Sequence, residues 1–410
     1  LKIIILSDRI PPENVGGAGK VAWNLALGLQ AAGHEVHVIA ATFKPSFREQ
    51  RSGIETYHLQ TQYPIRWHSW VSLYNPQTVG PLRRLLKELK PDVVNGHNVH
   101  QYLSYASLRV AHDLGLPAVF TSHDAMPFAY TKFDAFIDPQ RGAVSTPDQY
   151  RLPPLYNLRQ MRTRYNPFRN LIIRRILTYD TRLRTCVSQA HKEALEANGL
   201  PPFRVVYNGL DPATFEVAPN RVETLRHRLD LVGKQVILIA GRLTATKGGG
   251  QLLAAMSRLI PAFPNLVLLT LSPKEPDFTG LGDDLTQHIR SGGWLDGPDL
   301  AAAYHLADIV TMPSIILDTF GMVNLEGMAA GKPLVSTCFG GSPEIVQDGH
   351  TGYIINPFDT ATFADRLGRL LRDPDLRARM GQAGRQRLLD QFTLAHQVHA
   401  MTAIYREAIG

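Results

Sequence analysis

Residues 236–250 read Val236-Ile237-Leu238-Ile239-Ala240-Gly241-Arg242-Leu243-Thr244-Ala245-Thr246-Lys247-Gly248-Gly249-Gly250. The first five are apolar without a break, the pattern of a strand covered on both faces rather than one. A parallel sheet with helices on each side provides that environment. Arg242 then falls at the carboxyl edge of the strand, and Lys247 precedes glycines that open a helical pattern. Ligands of open α/β sheets sit beyond the carboxyl ends of their strands. The stretch therefore points both to a fold class and to a place for chemistry.

Upstream, short strand-like runs at 2–6, 35–40, 93–95, 118–122, 185–188 and 204–207 alternate with helical patterns at 18–32, 81–89, 103–114 and 190–197. Such alternation predicts βαβ units and a parallel sheet. The pattern restarts after Asn208-Gly209-Leu210-Asp211-Pro212, and further strands are expected at 266–271, 309–312, 334–337 and 353–355. The reading is two doubly wound, Rossmann-like α/β domains, 1–212 and 213–391, that share one cleft. A final helix in 392–410 is expected to pack back on the first domain.

Composition narrows the function classes. The chain has 410 residues, two cysteines and a net charge of +7, with ordinary apolar and charged fractions. Disulfide frameworks, cysteine-rich zinc sites and disordered classes drop out. The apolar start stops at Ser7-Asp8-Arg9, too short for a signal core, and no run reaches the roughly 18 apolar residues of a spanning helix. A cytoplasmic protein is expected. Between Arg151 and Arg184 lie nine arginines and one acid, Asp180. This block reads either as a surface for anionic lipid or an acidic substrate, or as the solvated face of a helix. Phe168, Leu171, Ile172, Ile176 and Leu183 approximate helical spacing, so part of the block is expected to pack on the core.

Four segments carry candidate chemistry. Gly16 and Gly17 precede a helix, where backbone N–H groups can approach an anion. Gly17 to Ala22 satisfies G-x-G-x-x-A, yet too many residues separate it from its strand and no acid ends the second strand, which argues against a nicotinamide site. Arg242 and Lys247 suit a diphosphate, Arg as a planar fork and Lys as a point charge. In Asp318-Thr319-Phe320-Gly321-Met322-Val323-Asn324-Leu325-Glu326, a helix starting near Phe320 would aim the amides of Gly321, Met322 and Val323 at the cleft. Glu326 lies on an otherwise apolar helix, where a carboxylate needs donors such as ribose hydroxyls. Asp318 could instead cap that helix. His123 ends a strand of the first domain, and His97 is similarly placed. Asp373-Pro374-Asp375 reads as a helix cap rather than a metal site, and no P-loop, H-E-x-x-H or G-x-S-x-G is found.

Together these segments resemble the retaining glycosyltransferases of family 4, which have the GT-B fold. The resemblance rests on Gly16-Gly17, Asn208-Gly209-Leu210-Asp211, Gly241-Arg242, Lys247-Gly248, Pro313-Ser314 through Gly331-Lys332-Pro333, and Gly340-Gly341-Ser342-Pro343-Glu344. It implies that Arg242 and Lys247 hold the diphosphate of a nucleotide sugar, UDP-sugar favoured. It further implies that Glu326 holds the ribose, that Asp318 and His123 contact the transferred hexose, and that Gly16, Gly17, Asn208 and Phe320 through Val323 line the donor. Trp294 would stack on the base. The family has a glutamate where this chain has Asp318. The acceptor would be a hydroxyl of a glycan or lipid-linked glycan, in polysaccharide or glycoconjugate synthesis. No metal and no nucleic acid are expected, and contact with an anionic inner membrane surface would run through Arg151–Arg184. A non-catalytic nucleotide-sugar-binding subunit and a GT-B epimerase are the alternatives.

Overall fold

The computed structural model of the protein describes residues 1–13, 16–130, 150–241, 243–272 and 283–410, the side chains of 283 and 284 excepted. These residues form two compact units, one of 1–130, 150–209 and 394–410 and one of 210–393. Each has its own parallel sheet and its own core, as the alternating pattern predicts.

In the first unit the strands are β1 (Lys2–Ser7), β2 (Glu35–Thr42), β3 (Phe47–Arg51), β4 (Ile54–Gln60), β5 (Val93–His97), β6 (Ala118–Ser122), β7 (Leu183–Cys186) and β8 (Arg204–Val205). Their order across the sheet is β3-β4-β2-β1-β5-β6-β7-β8. All pairings are parallel except β3 with β4. That hairpin was not expected. Ser52 and Gly53 join its strands with φ of +49° and +79°, the two positive values of a tight primed turn. The edge strand Phe47-Arg48-Glu49-Gln50-Arg51 is polar and exposed, which discourages further pairing and also hides the strand from a hydrophobic pattern. Ile3 to Leu6 are fully buried. Helices Gly17–Ala31 and Leu394–Ile409 cover the sheet, with Leu25, Leu29, Val398, Met401 and Tyr405 in one core.

The second unit has β9 (Gln235–Ile239), β10 (Leu266–Thr270), β11 (Ile289–Ser291), β12 (Ile309–Met312), β13 (Leu334–Thr337) and β14 (Gly352–Ile355). Their order is β11-β10-β9-β12-β13-β14, parallel throughout. Ile237, Ile239, Leu266 and Leu268 meet Leu252, Met256, Phe363 and Leu367 from helices Gly249–Leu259 and Thr360–Arg372. The strand order reverses between β1 and β5 in the first sheet and between β9 and β12 in the second. Loops leaving such neighbours diverge to opposite faces and open a crevice at the carboxyl edge.

Part of the arginine-rich block packs on the core, as expected, through Ile176 but not through Phe168, Leu171 or Ile172. In helix Arg169–Tyr179 the buried residues are Arg169, Ile173, Ile176 and Leu177, while Phe168, Leu171 and Ile172 are exposed. Arg169 itself is structural: its guanidinium donates to Met126 O at 2.8 Å and lies over the Tyr130 ring.

Candidate active site

The crevice of the second sheet brings Lys247 and Asp318 together. After β9 the chain makes a short 3-10 turn, Ala245–Lys247, and Gly248 starts helix Gly249–Leu259. After β12 it runs through Pro313-Ser314 to Asp318. Ile315 N–H donates to Thr246 O at 3.1 Å and ties the two loops. Gly248 has φ of +75°, and a Cβ there would lie 1.9 Å from Pro313 O. No other residue lets the loops approach so closely.

The result is an ion pair. Lys247 Nζ lies 2.7 Å from Asp318 Oδ2, with the lysine side chain 44% exposed and the aspartate 13%. Ser314 Oγ donates to the same oxygen at 3.3 Å. Burial alone would raise the Asp318 pKa, but Lys247, Ser314 and the Phe320 N–H outweigh it and hold the carboxyl below its ordinary value. Its backbone is fixed as well. Gly341 N–H donates to Asp318 O at 2.9 Å, and a Cβ on Gly340 would meet that carbonyl at 2.0 Å.

Asp318 is thus not a helix cap. The helix is Met322–Ala329, and its N-cap is Gly321, with φ of +83° and no side-chain cap bond. It starts two residues later than expected. Phe320 gives its N–H to Asp318 and buries its ring against Phe392. The first-turn amides, which have no intrahelical acceptors, therefore belong to Met322 and Val323 beside Gly321. Glu326 is on this helix and accepts from Tyr304 Oη, whose pKa burial and the adjacent carboxylate push far up. Tyr304 lies on helix Gly297–Leu306, and no local pattern flags it. Trp294 is 48% exposed, in the loop after β11. Arg242 lies outside the described residues, as do Asn14 and Val15.

The first unit places His123 and His97 at the ends of neighbouring strands, β6 and β5. Their rings stack at 5.1 Å, and His97 Nδ1 is 2.8 Å from His123 Nε2. Asn95 Nδ2 donates to His97 Nε2 at 2.8 Å and to Tyr405 Oη at 2.7 Å. This fixes the tautomers. His97 Nε2 accepts, so its Nδ1 carries the proton and donates to His123, which keeps its own proton on Nδ1. Burial lowers the His97 pKa to about 3 and that of His123 well below its usual value, so both are neutral at pH 7. Asn95 and Tyr405 were not foreseen, because the C-terminal helix that brings Tyr405 lies 310 residues away in sequence.

Gly16 is the N-cap of helix Gly17–Ala31 and has no side-chain cap bond. A Cβ on Gly17 would meet nothing within 4 Å, so the packing of this unit does not demand a glycine there. Asn208 is buried, with its Oδ1 3.5 Å from Gln397 Nε2, while Gly209 N–H donates to Gln397 Oε1 at 2.9 Å.

The family models for glycosyltransferase family 4 and glycosyl transferases group 1 match residues 15–214 and 222–387. The chain belongs to glycosyltransferase family 4. Among its relatives, glycogen synthase of Mycobacterium tuberculosis is 28% identical over 433 residues, covering 100% of this chain and 95% of that protein. Sucrose-phosphate synthase from Thermosynechococcus elongatus superimposes with a TM-score of 0.76 at 20% identity, over 99% of this chain and 98% of the other. HepE of Anabaena, solved with UDP-glucose, gives 0.67 at 16% identity over 98% and 99%. These likenesses agree on the GT-B class, two Rossmann-like units with parallel sheets.

Proposed function

We propose that this glycosyltransferase is a retaining hexosyltransferase that uses a UDP-sugar and extends a glycan. One observation carries the reading: Lys247 and Asp318 meet at the switch point of the second sheet, held by glycine contacts that fix both loops. Lys247, with Arg242 placed there by sequence alone, would neutralise the departing diphosphate. The amides of Gly321, Met322 and Val323 would add the positive end of a helix. Asp318 would face the sugar, where positive charge develops as its bond to the β-phosphate oxygen breaks. The acceptor oxygen forms the new bond to the anomeric carbon, and its proton passes to the leaving phosphate. Glu326, steadied by Tyr304, suits the ribose hydroxyls, and Trp294 suits the base. Neutral His123 would contact the sugar. Among structurally similar proteins, HepE is solved with UDP-glucose and starch synthase IV with ADP, so uridine is part of the proposal.

Paired cations make a metal unnecessary for charge balance. Turnover of UDP-glucose in EDTA, followed by NMR of the anomeric proton, should show an α-configured product at an undiminished rate. A β product, or activity that returns only with Mg²⁺ or Mn²⁺, contradicts the reading.

We also propose that the arginine-rich face meets an anionic membrane. Phe168, Leu171 and Ile172 are exposed, and so are Trp67 and Trp70. The two segments pack together, since Ser69 Oγ donates to Arg164 O at 2.7 Å and Asn166 Nδ2 to Ser69 O at 3.2 Å. Exposed indoles beside arginines suit an interfacial surface. Among the described residues no helix is long and apolar enough to cross a membrane, so the contact would be peripheral. Co-sedimentation should be greater with anionic than neutral vesicles and weaken with salt. Equal binding to both, or none, would restore the solvated-face reading.

A further inference from the structure

Three polar side chains meet inside the second unit, where apolar ones would ordinarily pack. Asn324 lies in the first turn of helix Met322–Ala329, Ser336 on β13, and Ser342 at the start of a short helix, Ser342–Ile345. All three are fully buried, as are Leu325 and Val335 beside them in the chain. Ser336 Oγ donates to Asn324 Oδ1 at 2.6 Å, and Asn324 Nδ2 donates to Ser342 Oγ at 3.1 Å. One amide therefore joins a helix, a strand and a turn. Burying such groups costs desolvation that their mutual bonds roughly offset, and an apolar trio of the same shape can be as stable or more so. Stability alone does not call for them.

What the trio joins are the two segments that hold Asp318. On one side, Asn324 N–H donates to Gly321 O at 2.9 Å, and the preceding Phe320 N–H bonds the Asp318 carboxylate. On the other, Ser342 follows Gly341, whose N–H donates to Asp318 O at 2.9 Å. Gly340, with φ of +78°, brings that turn so close that a Cβ on it would lie 2.0 Å from the same oxygen. The carboxylate and the carbonyl of Asp318 are thus held by two segments that Asn324 fastens to each other. Asn324 has no exposed surface, so it can act on a substrate only through what it holds.

We infer that Asn324 is a positioning residue for the reaction: with Ser336 and Ser342 it locks the Gly340-Gly341 turn against the helix that follows Asp318, and so fixes where that carboxylate stands beside Lys247. The inference rests on the catalytic role proposed for Asp318 and adds the residues that set its place.

Asn324→Leu keeps the branching of the side chain and loses both hydrogen bonds. A misplacement of about 1 Å can cost about 10²-fold in rate, so kcat with UDP-glucose should fall about tenfold or more while donor KM stays within about twofold. The decisive readout is coupling to Asp318. In an Asp318→Asn background, where no carboxylate remains to be positioned, Asn324→Leu should lower kcat by less than about twofold. Ser342→Ala leaves the Asn324–Ser336 bond in place and should show the same coupling, so it reports even if Asn324→Leu fails to fold. The triple variant Asn324→Leu/Ser336→Ala/Ser342→Ala strands no polar atom of the trio. It should recover the wild-type melting temperature without recovering kcat. Equal falls in kcat in the two backgrounds, wild-type kcat in both single variants, or recovery of stability and kcat together in the triple variant would overturn the inference and leave the role of Asp318 standing. An Asp318→Asn enzyme with unchanged kcat would remove both.

Discussion

Lys247→Ala should lower kcat by about 10²–10³-fold, the scale for losing one preorganised electrostatic donor. Two effects add. The departing diphosphate would lose the cation proposed for its site. Asp318, 13% exposed, also loses its counter-ion and confronts an incoming dianion with a carboxylate that nothing neutralises. Donor KM should therefore rise along with the fall in kcat. The short turn that carries Lys247 is held by backbone bonds, Lys247 N–H to Thr244 O at 3.1 Å and Gly248 N–H to Ala245 O at 2.9 Å, which alanine keeps. A steady-state assay with UDP-glucose checks this, and activity within a few fold of wild type would remove Lys247 from the reaction.

The parts of this site were unequally legible in sequence. β9 could be read because five consecutive apolar residues have one comfortable environment, and the strands downstream repeat that signal. β3 and β4 could not, since an edge strand with three charges and an adjoining turn has no apolar period to show. The glycines at 248, 249, 340 and 341 stood out as a motif, but only coordinates reveal that 248 and 340 admit neighbouring carbonyls. For Asp318, read as a contact of the sugar, local chemistry also allowed a helix cap. Its actual partner lies 71 residues away, and pairing at that separation is decided by strand order rather than by spacing. Tyr304 and Tyr405 escaped for the same reason.

Asp318→Asn is the second large effect, and its direction differs from that of Lys247→Ala. The amide keeps the size and most contacts of the side chain but removes the negative charge. Lys247, freed of its partner, attracts the diphosphate more strongly, so donor KM should stay level or fall. Positive charge developing on the sugar loses its nearest anion, so kcat should fall about 10²-fold. A fall in kcat without a rise in KM marks an interaction made in the transition state. Asp318→Glu should not rescue the family pattern. With Oδ2 already 2.7 Å from Lys247 Nζ and the backbone carbonyl held by Gly341, an added methylene cannot be taken up by retreat of the chain.

The central claim is that the Lys247–Asp318 pair is the reacting centre and not a structural ion pair. The kcat of Asp318→Asn at saturating UDP-glucose, with its donor KM, tests it most directly. A drop of about 10²-fold in kcat with KM unchanged or lower is the predicted result. An unchanged kcat, with only a lower melting temperature, would contradict it.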